Sequence, residues 1–189
     1  APVRIQAAKN EFEPVQLVVR ATNAQSLAVS ISDFVSGSNT IAADNVAIHR
    51  VDYAPMTRQS DRFGRIGDWP DPLYPIAPGA SVSLPAGQNQ PLWFTLQVPW
   101  EAPAGVYTAT VSIGTATVPI ELTVWDFSLP RRIHLPSEWG FSWSSIVEIY
   151  RGTASGSVQP CYWEVVDAFK QDFIDHRLIP KGVAWPAGL

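Results

Sequence analysis

Val118-Pro119-Ile120-Glu121-Leu122-Thr123-Val124-Trp125 alternates apolar and polar residues, and the next seven positions, Asp126-Phe127-Ser128-Leu129-Pro130-Arg131-Arg132, abandon that pattern. Alternation of period two sends Val118, Ile120, Leu122 and Val124 to one face of a strand and leaves the other face polar. The Pro- and Arg-containing joint then changes the grammar of the chain. Beyond it lie an apolar run (Glu138-Trp139-Gly140-Phe141-Ser142-Trp143), one long helical pattern and a last apolar run, Gly182-Val183-Ala184-Trp185.

Upstream of the joint the same alternation recurs. Val15-Gln16-Leu17-Val18-Val19-Arg20 is strongly β-branched, and Leu27, Val29 and Ile31 alternate with Ala28, Ser30 and Ser32. Val46 to Tyr53, the set Leu92, Phe94, Leu96 and Val98, and the set Tyr107, Ala109, Val111 and Ile113 follow. Gly114-Thr115 between the last two runs predicts a tight hairpin, because glycine tolerates the positive φ of such turns. Many short strands with one polar face each, separated by turn residues, predict an antiparallel β-sandwich, immunoglobulin-like, over residues 1–128. A closed barrel is the competing arrangement. Helical periodicity is absent from this part of the chain.

One long interruption spans Met56 to Pro85 and carries Arg58, Asp61, Arg62, Arg65, Asp68, Trp69, Asp71 and Tyr74 among five prolines. Connections of that length in compact domains usually serve function or pack on a neighbour. Its proline density predicts a stiff, extended surface path with Trp69 and Tyr74 pressed against something.

The tail contains one convincing helix, residues 160–177. Pro160 suits its first turn, and Ser157 or Gln159 its cap. Tyr162, Val166, Phe169, Phe173 and Ile174 form one apolar stripe, and Glu164, Asp167, Lys170, Asp172 and Asp175 fill much of the rest. His176 and Arg177 are expected in the last turn, where cations complement the dipole. One strand cannot cover that stripe, so residues 129–189 read as the opening strand and helix of a larger α/β domain, incomplete at Leu189. The remainder of a parent polypeptide, or another chain, is expected to pack on the helix.

Composition narrows the function classes. A hydrophobic content of 46% over 189 residues allows a sizeable core. The formal net charge of -4, with no basic stripe, argues against nucleic acid. No apolar run is long enough to span a membrane. Cys161, the single cysteine, permits neither an internal disulfide nor a thiolate metal cluster, and its apolar neighbours predict a buried, inert thiol. The start at Ala1-Pro2 without Met fits a trimmed export signal and equally an excised segment; an extracellular or periplasmic location is expected, with a cytoplasmic one as the alternative.

Candidate chemistry is sparse. His49, His134 and His176 lack metal-ligand spacing, and neither a nucleophile elbow nor a phosphate-binding glycine loop is present. No metal and no cofactor is expected. Among carboxylate pairs, Glu11 and Glu13 enter a strand two apart and are expected to cap or salt-bridge a sheet edge. Asp172 and Asp175 belong to a solvated helix face. Asp68 and Asp71 flank Trp69-Pro70 and are the best placed for recognition, with turn capping as the alternative role. Trp139, Trp143 and Trp185 sit on or near the two tail strands, where sugar rings could stack.

Five segments resemble a known family. They are Ala7-Ala8-Lys9-Asn10-Glu11-Phe12-Glu13-Pro14-Val15-Gln16-Leu17-Val18-Val19, Asp68-Trp69-Pro70-Asp71-Pro72-Leu73-Tyr74-Pro75, Leu92-Trp93-Phe94-Thr95-Leu96-Gln97-Val98-Pro99, Ala102-Pro103-Ala104-Gly105-Val106-Tyr107 and Val118 to Phe127. In order and spacing they resemble the domain of unknown function 4091 family, which is related to glycoside hydrolase family 123. The resemblance implies an N-terminal β-sandwich followed by a (β/α)8 barrel bearing the active site. It implies cleavage of terminal N-acetylgalactosamine by an adjacent Asp-Glu pair on a later barrel strand, with the substrate acetamido group as nucleophile. No adjacent Asp-Glu pair occurs in this sequence.

The sequence therefore predicts a sandwich at 1–128 and the start of a barrel at 129–189. Ser142 and Trp143, with residues 144–159, are expected on the active-site rim, since barrel chemistry sits at the C-terminal strand ends. Trp143, Ser142, Trp69 and Asp71 are the candidate ligand-binding residues, a glycan the candidate ligand, and no catalytic residue is assigned. The chain is expected to be an accessory region of a retaining, substrate-assisted hexosaminidase, inactive alone. A non-catalytic carbohydrate-binding or structural interaction module is the alternative.

Overall fold

The computed structural model describes residues 1–59, 61–131, 137 and 161–179. The chain divides into two compact units, Ala1–Leu129 and Pro130–Leu189. The first is all β apart from a short 3-10 turn at Ala43–Asn45. Its strands are β1 (Val3–Lys9), β2 (Phe12–Arg20), β3 (Gln25–Ile31), β4 (Phe34–Ser36), β5 (Asn39–Ile41), β6 (Val46–Met56), β7 (Gly67–Pro75), β8 (Ser81–Leu84), β9 (Asn89–Gln97), β10 (Gly105–Ile113) and β11 (Ala116–Ser128). All six alternating runs of the sequence form strands. The protein is mainly β.

The strands sort into two sheets. One runs β1-β11-β10-β3-β8, with the β4–β5 hairpin attached to β10, and the other runs β2-β9-β6-β7. Both contribute to a single buried cluster: Leu92, Phe94 and Leu96 from β9 meet Val29, Phe34, Tyr107, Val111 and Leu122 from the other sheet. The two separate sheets exclude the closed barrel. The pairing is not wholly antiparallel, however, because β1 lies parallel to β11 with Ile5 opposite Leu122. Alternation reports which face a residue occupies and carries no information on strand direction, so the sequence could not distinguish these pairings.

Local devices fix the frame. The β10–β11 turn has Gly114 at φ 58, and only this first turn residue is left-handed, as a type II′ hairpin requires. Tyr107, fully buried, donates its hydroxyl to the Pro103 carbonyl at 2.8 Å, the link of a tyrosine corner. Burial raises the Tyr107 phenol above its ordinary range. Glu11 accepts the Ala8 N–H at 2.6 Å across the β1–β2 turn, as expected of a capping carboxylate. Asn10 takes the left-handed conformation of that turn (φ 63) and donates from its side chain to the Leu129 carbonyl at 3.1 Å.

The Met56–Pro85 interruption is corrected by the structure. It holds two strands: β7 pairs antiparallel with β6, and β8 with β3. Pro70, Pro72 and Pro75 all lie on β7, which ends its sheet with β6 as sole neighbour. An edge strand tolerates the missing N–H groups that a central strand would not. A bulge between Val51 and Tyr53 sets two β7 residues, Asp71 and Pro72, against the single β6 residue Asp52.

In the second unit the helix α1 runs Cys161–Asp175, slightly shorter than 160–177. Val166 is fully buried, while Ile174 is 51% exposed. His176 and Arg177 follow the last turn instead of lying in it. Arg177 is left-handed (φ 58), and Leu178 N–H bonds Phe173 O at 2.7 Å while Arg177 N–H bonds Ile174 O at 3.0 Å. That pair of bonds is a Schellman stop, which ends the helix before Pro180 could. Ser157, Gln159, Pro160, the expected strands at 138–143 and 182–185, and the side chains of Cys161 and Tyr162 lie outside the described residues.

Candidate functional site

The β6–β7 hairpin projects an open cavity of about 420 Å³ at its tip. Ala54, Met56, Asp61, Phe63, Gly64, Arg65, Trp69, Pro70 and Asp71 line it. Two of the four ligand-binding residues expected from sequence, Trp69 and Asp71, are thus brought together. The other two, Ser142 and Trp143, lie outside the described residues.

The loop between the strands is braced from within. Asp61 Oδ1 accepts the N–H groups of Phe63 at 2.7 Å and Gly64 at 2.8 Å, and Gln59 Nε2 donates to Gly64 O at 2.9 Å. Trp69 Nε1 donates back to Arg65 O at 2.9 Å, which fixes the indole edge. Turn capping therefore belongs to Asp61. Asp68 and Asp71 lie exposed on β7, and the Asp71 carboxylate has no hydrogen-bond or ion-pair partner among the described residues.

Both aromatic rings of the cavity stay open to solvent, Phe63 at 76% and Trp69 at 44%. Arg62 stands over the Phe63 ring at 4.5 Å. Tyr74 does not join the cavity. It is exposed under the Arg50 guanidinium at 5.4 Å, and Arg50 is paired with Asp52 at 2.8 Å. The contacts expected for Trp69 and Tyr74 are thus local ones within the hairpin and its neighbours.

Phe63 escaped sequence reasoning because it belongs to no periodic run. Its signal was its place beside Asp61 and Gly64, a turn pair that turns the intervening side chain outward. Elsewhere the charged groups read as structure. Burial, and then the neighbouring Glu11 charge, raise the Glu13 carboxyl above its ordinary range. Asp172 and Asp175 are exposed on α1, as expected, bonded to His176 and Gln171. Among the described residues no group of three His, Cys, Asp or Glu side chains could hold a metal ion. No described helix is long and apolar enough to cross a membrane.

The family described as the glycoside hydrolase 123 N-terminal domain matches residues 3–115, from β1 to the end of β10. The chain belongs to that family. Among solved structures, this glycoside hydrolase 123 N-terminal domain chain resembles a family 123 glycoside hydrolase from Clostridium perfringens, described for glycolipid glycan hydrolysis. The likeness has a TM-score of 0.76 at 13% identity and covers 92% of this chain and 31% of that one. At that identity it is a likeness of fold, and the chain spans about a third of that enzyme. No curated protein matches.

Proposed function

We propose that the chain is the N-terminal accessory region of an exported, carbohydrate-active glycoside hydrolase of the family 123 kind, allied to the domain of unknown function 4091 group. The observation that carries this reading is the family match over residues 3–115, which covers the β unit through β10. The absence of any adjacent Asp-Glu pair in the sequence supports a role without catalysis, since substrate-assisted hexosaminidase chemistry needs that pair. In this reading residues 129–189 open a (β/α)8 barrel, Ser142 and Trp143 stand on its active-site rim, and the remaining barrel of the parent polypeptide covers the exposed part of α1. The parent is a retaining hydrolase of terminal N-acetylgalactosamine.

The test is direct. The chain alone, incubated with an aryl N-acetyl-β-galactosaminide, is expected to release no phenol above the buffer blank. Turnover by the chain alone would overturn the accessory role. In a full-length parent, Trp143→Ala should raise KM, and an unchanged KM would remove Trp143 from the rim.

A second reading, a non-catalytic carbohydrate-binding module, draws on one specific observation: the two exposed aromatic rings held at the rim of the hairpin cavity.

A further inference from the structure

We propose that the cavity at the tip of the β6–β7 hairpin is a sugar-binding subsite of its own, taking one neutral hexose ring of a glycan. The class of ligand rests on the carbohydrate-active reading above; the place rests on geometry. Trp69 supplies the face on which the ring stacks, and Asp71 accepts hydrogen bonds from its hydroxyls.

Three observations converge here. The volume, about 420 Å³, lies within the usual range for small-ligand sites, roughly 300–1,000 Å³. Large aromatic side chains left exposed beside one another mark recognition surfaces more often than idle ones. Phe63 and Trp69 are both exposed, and both lie on backbone held by internal bonds: Asp61 to Phe63 and Gly64, and Trp69 to Arg65. Such a site loses little freedom on binding, so weak contacts are not spent on ordering the loop.

The polar groups select the ligand. Asp71 is an acceptor without a partner among the described residues, and Arg65 lines the same cavity. A hydroxyl donates and accepts at one atom, so adjacent hydroxyls on a sugar ring can use both. The two lining aspartates, Asp61 and Asp71, are matched by Arg65 in the lining and Arg62 over the Phe63 ring, so no net positive charge favours a carboxylate or phosphate ligand. The neighbouring cavity, about 400 Å³ and lined by Arg50, Tyr74 and serines, lacks this arrangement. Its one aromatic ring, Tyr74, carries the Arg50 guanidinium, which is paired with Asp52, whereas in the hairpin cavity Arg62 covers Phe63 and leaves Trp69 open.

The test is calorimetric titration of the chain with the methyl glycosides of galactose, glucose and N-acetylgalactosamine. Saturable binding of at least one probe is expected. Trp69→Ala should weaken it tenfold or more and Asp71→Asn several-fold. Trp125→Ala, which removes an exposed ring stacked on Phe127 at 5.5 Å outside the cavity, should leave it unchanged. Absence of saturable binding with all three probes overturns the proposal, as does affinity that survives Trp69→Ala. Should Trp69→Ala lower Tm, Asp71→Asn decides, because that exposed carboxylate holds nothing in the fold and unchanged affinity then sinks the site. The two readings fail separately: turnover by the chain would end the accessory role and leave this titration untouched.

Discussion

The Trp69 indole N–H reaches back four residues to the Arg65 carbonyl at 2.9 Å and ties the long β6–β7 loop to its own strand. An exposed bond of this kind contributes about 0.5–1.5 kcal/mol, toward the low end where water competes. Trp69→Phe keeps a ring and removes the donor. Amide exchange should quicken at residues 61–67 while the β9 amides keep their protection; equal quickening in both would show that the tether supports the whole unit.

Gln90 is the one buried amide side chain among the described residues, and its Nε2 donates to Val51 O at 2.8 Å and Pro91 O at 3.0 Å. It extends the β6–β9 junction past Arg50 and Leu92, the last paired residues. Gln90→Leu keeps the volume and strips both donors. A loss of about 1–3 kcal/mol is expected, read as a lower urea midpoint at unchanged slope.

Gly114 and Gly37 have nearly the same φ, 58 and 59, but different surroundings. A Cβ at Gly114 would stand 2.8 Å from Leu27 Cδ2, whereas nothing lies within 4 Å of one at Gly37. Alanine at either position meets the penalty of a positive φ, about 1–3 kcal/mol. Gly114→Ala must also displace Leu27, so its Tm should fall further than that of Gly37→Ala. Equal shifts would mean that Leu27 yields freely.

Glu13 binds its proton more tightly folded than unfolded, because burial first, and the Glu11 charge second, oppose its ionised form. The folded state therefore loses stability as pH rises through the ordinary carboxylate range toward the raised value. Glu13→Gln should raise Tm at neutral pH. Below about pH 4, near the unfolded carboxylate pKa of roughly 4.3, that advantage should vanish. A gain of the same size at both pH values would assign the effect to packing.

Legibility followed chemistry with a period. Val118 to Val124 and Leu92 to Val98 announced their strands because each faces one core and one polar side. β7 was hidden, since Trp69-Pro70-Asp71-Pro72 lies at a sheet edge with little buried, and without burial no alternation is imposed. The helix stop was misplaced by two residues for a related reason. Arg177 is no glycine, and its left-handed turn is held by bonds to Phe173 and Ile174 that no composition rule signals. Trp69 and Asp71 were legible as a pair, while Phe63 was not.

By itself the sequence determined which residues face inward and where strands give way to a helix. Side-chain hydrophobicity is a property each residue carries with it, so those features survive reading one residue at a time. The tertiary structure alone decided that β1 runs parallel to β11, that a proline-rich stretch completes a sheet, and that Phe63, Arg65, Trp69 and Asp71 line one cavity. Backbone hydrogen bonding is nearly the same for every residue, so partners are chosen only when the whole chain closes on its core.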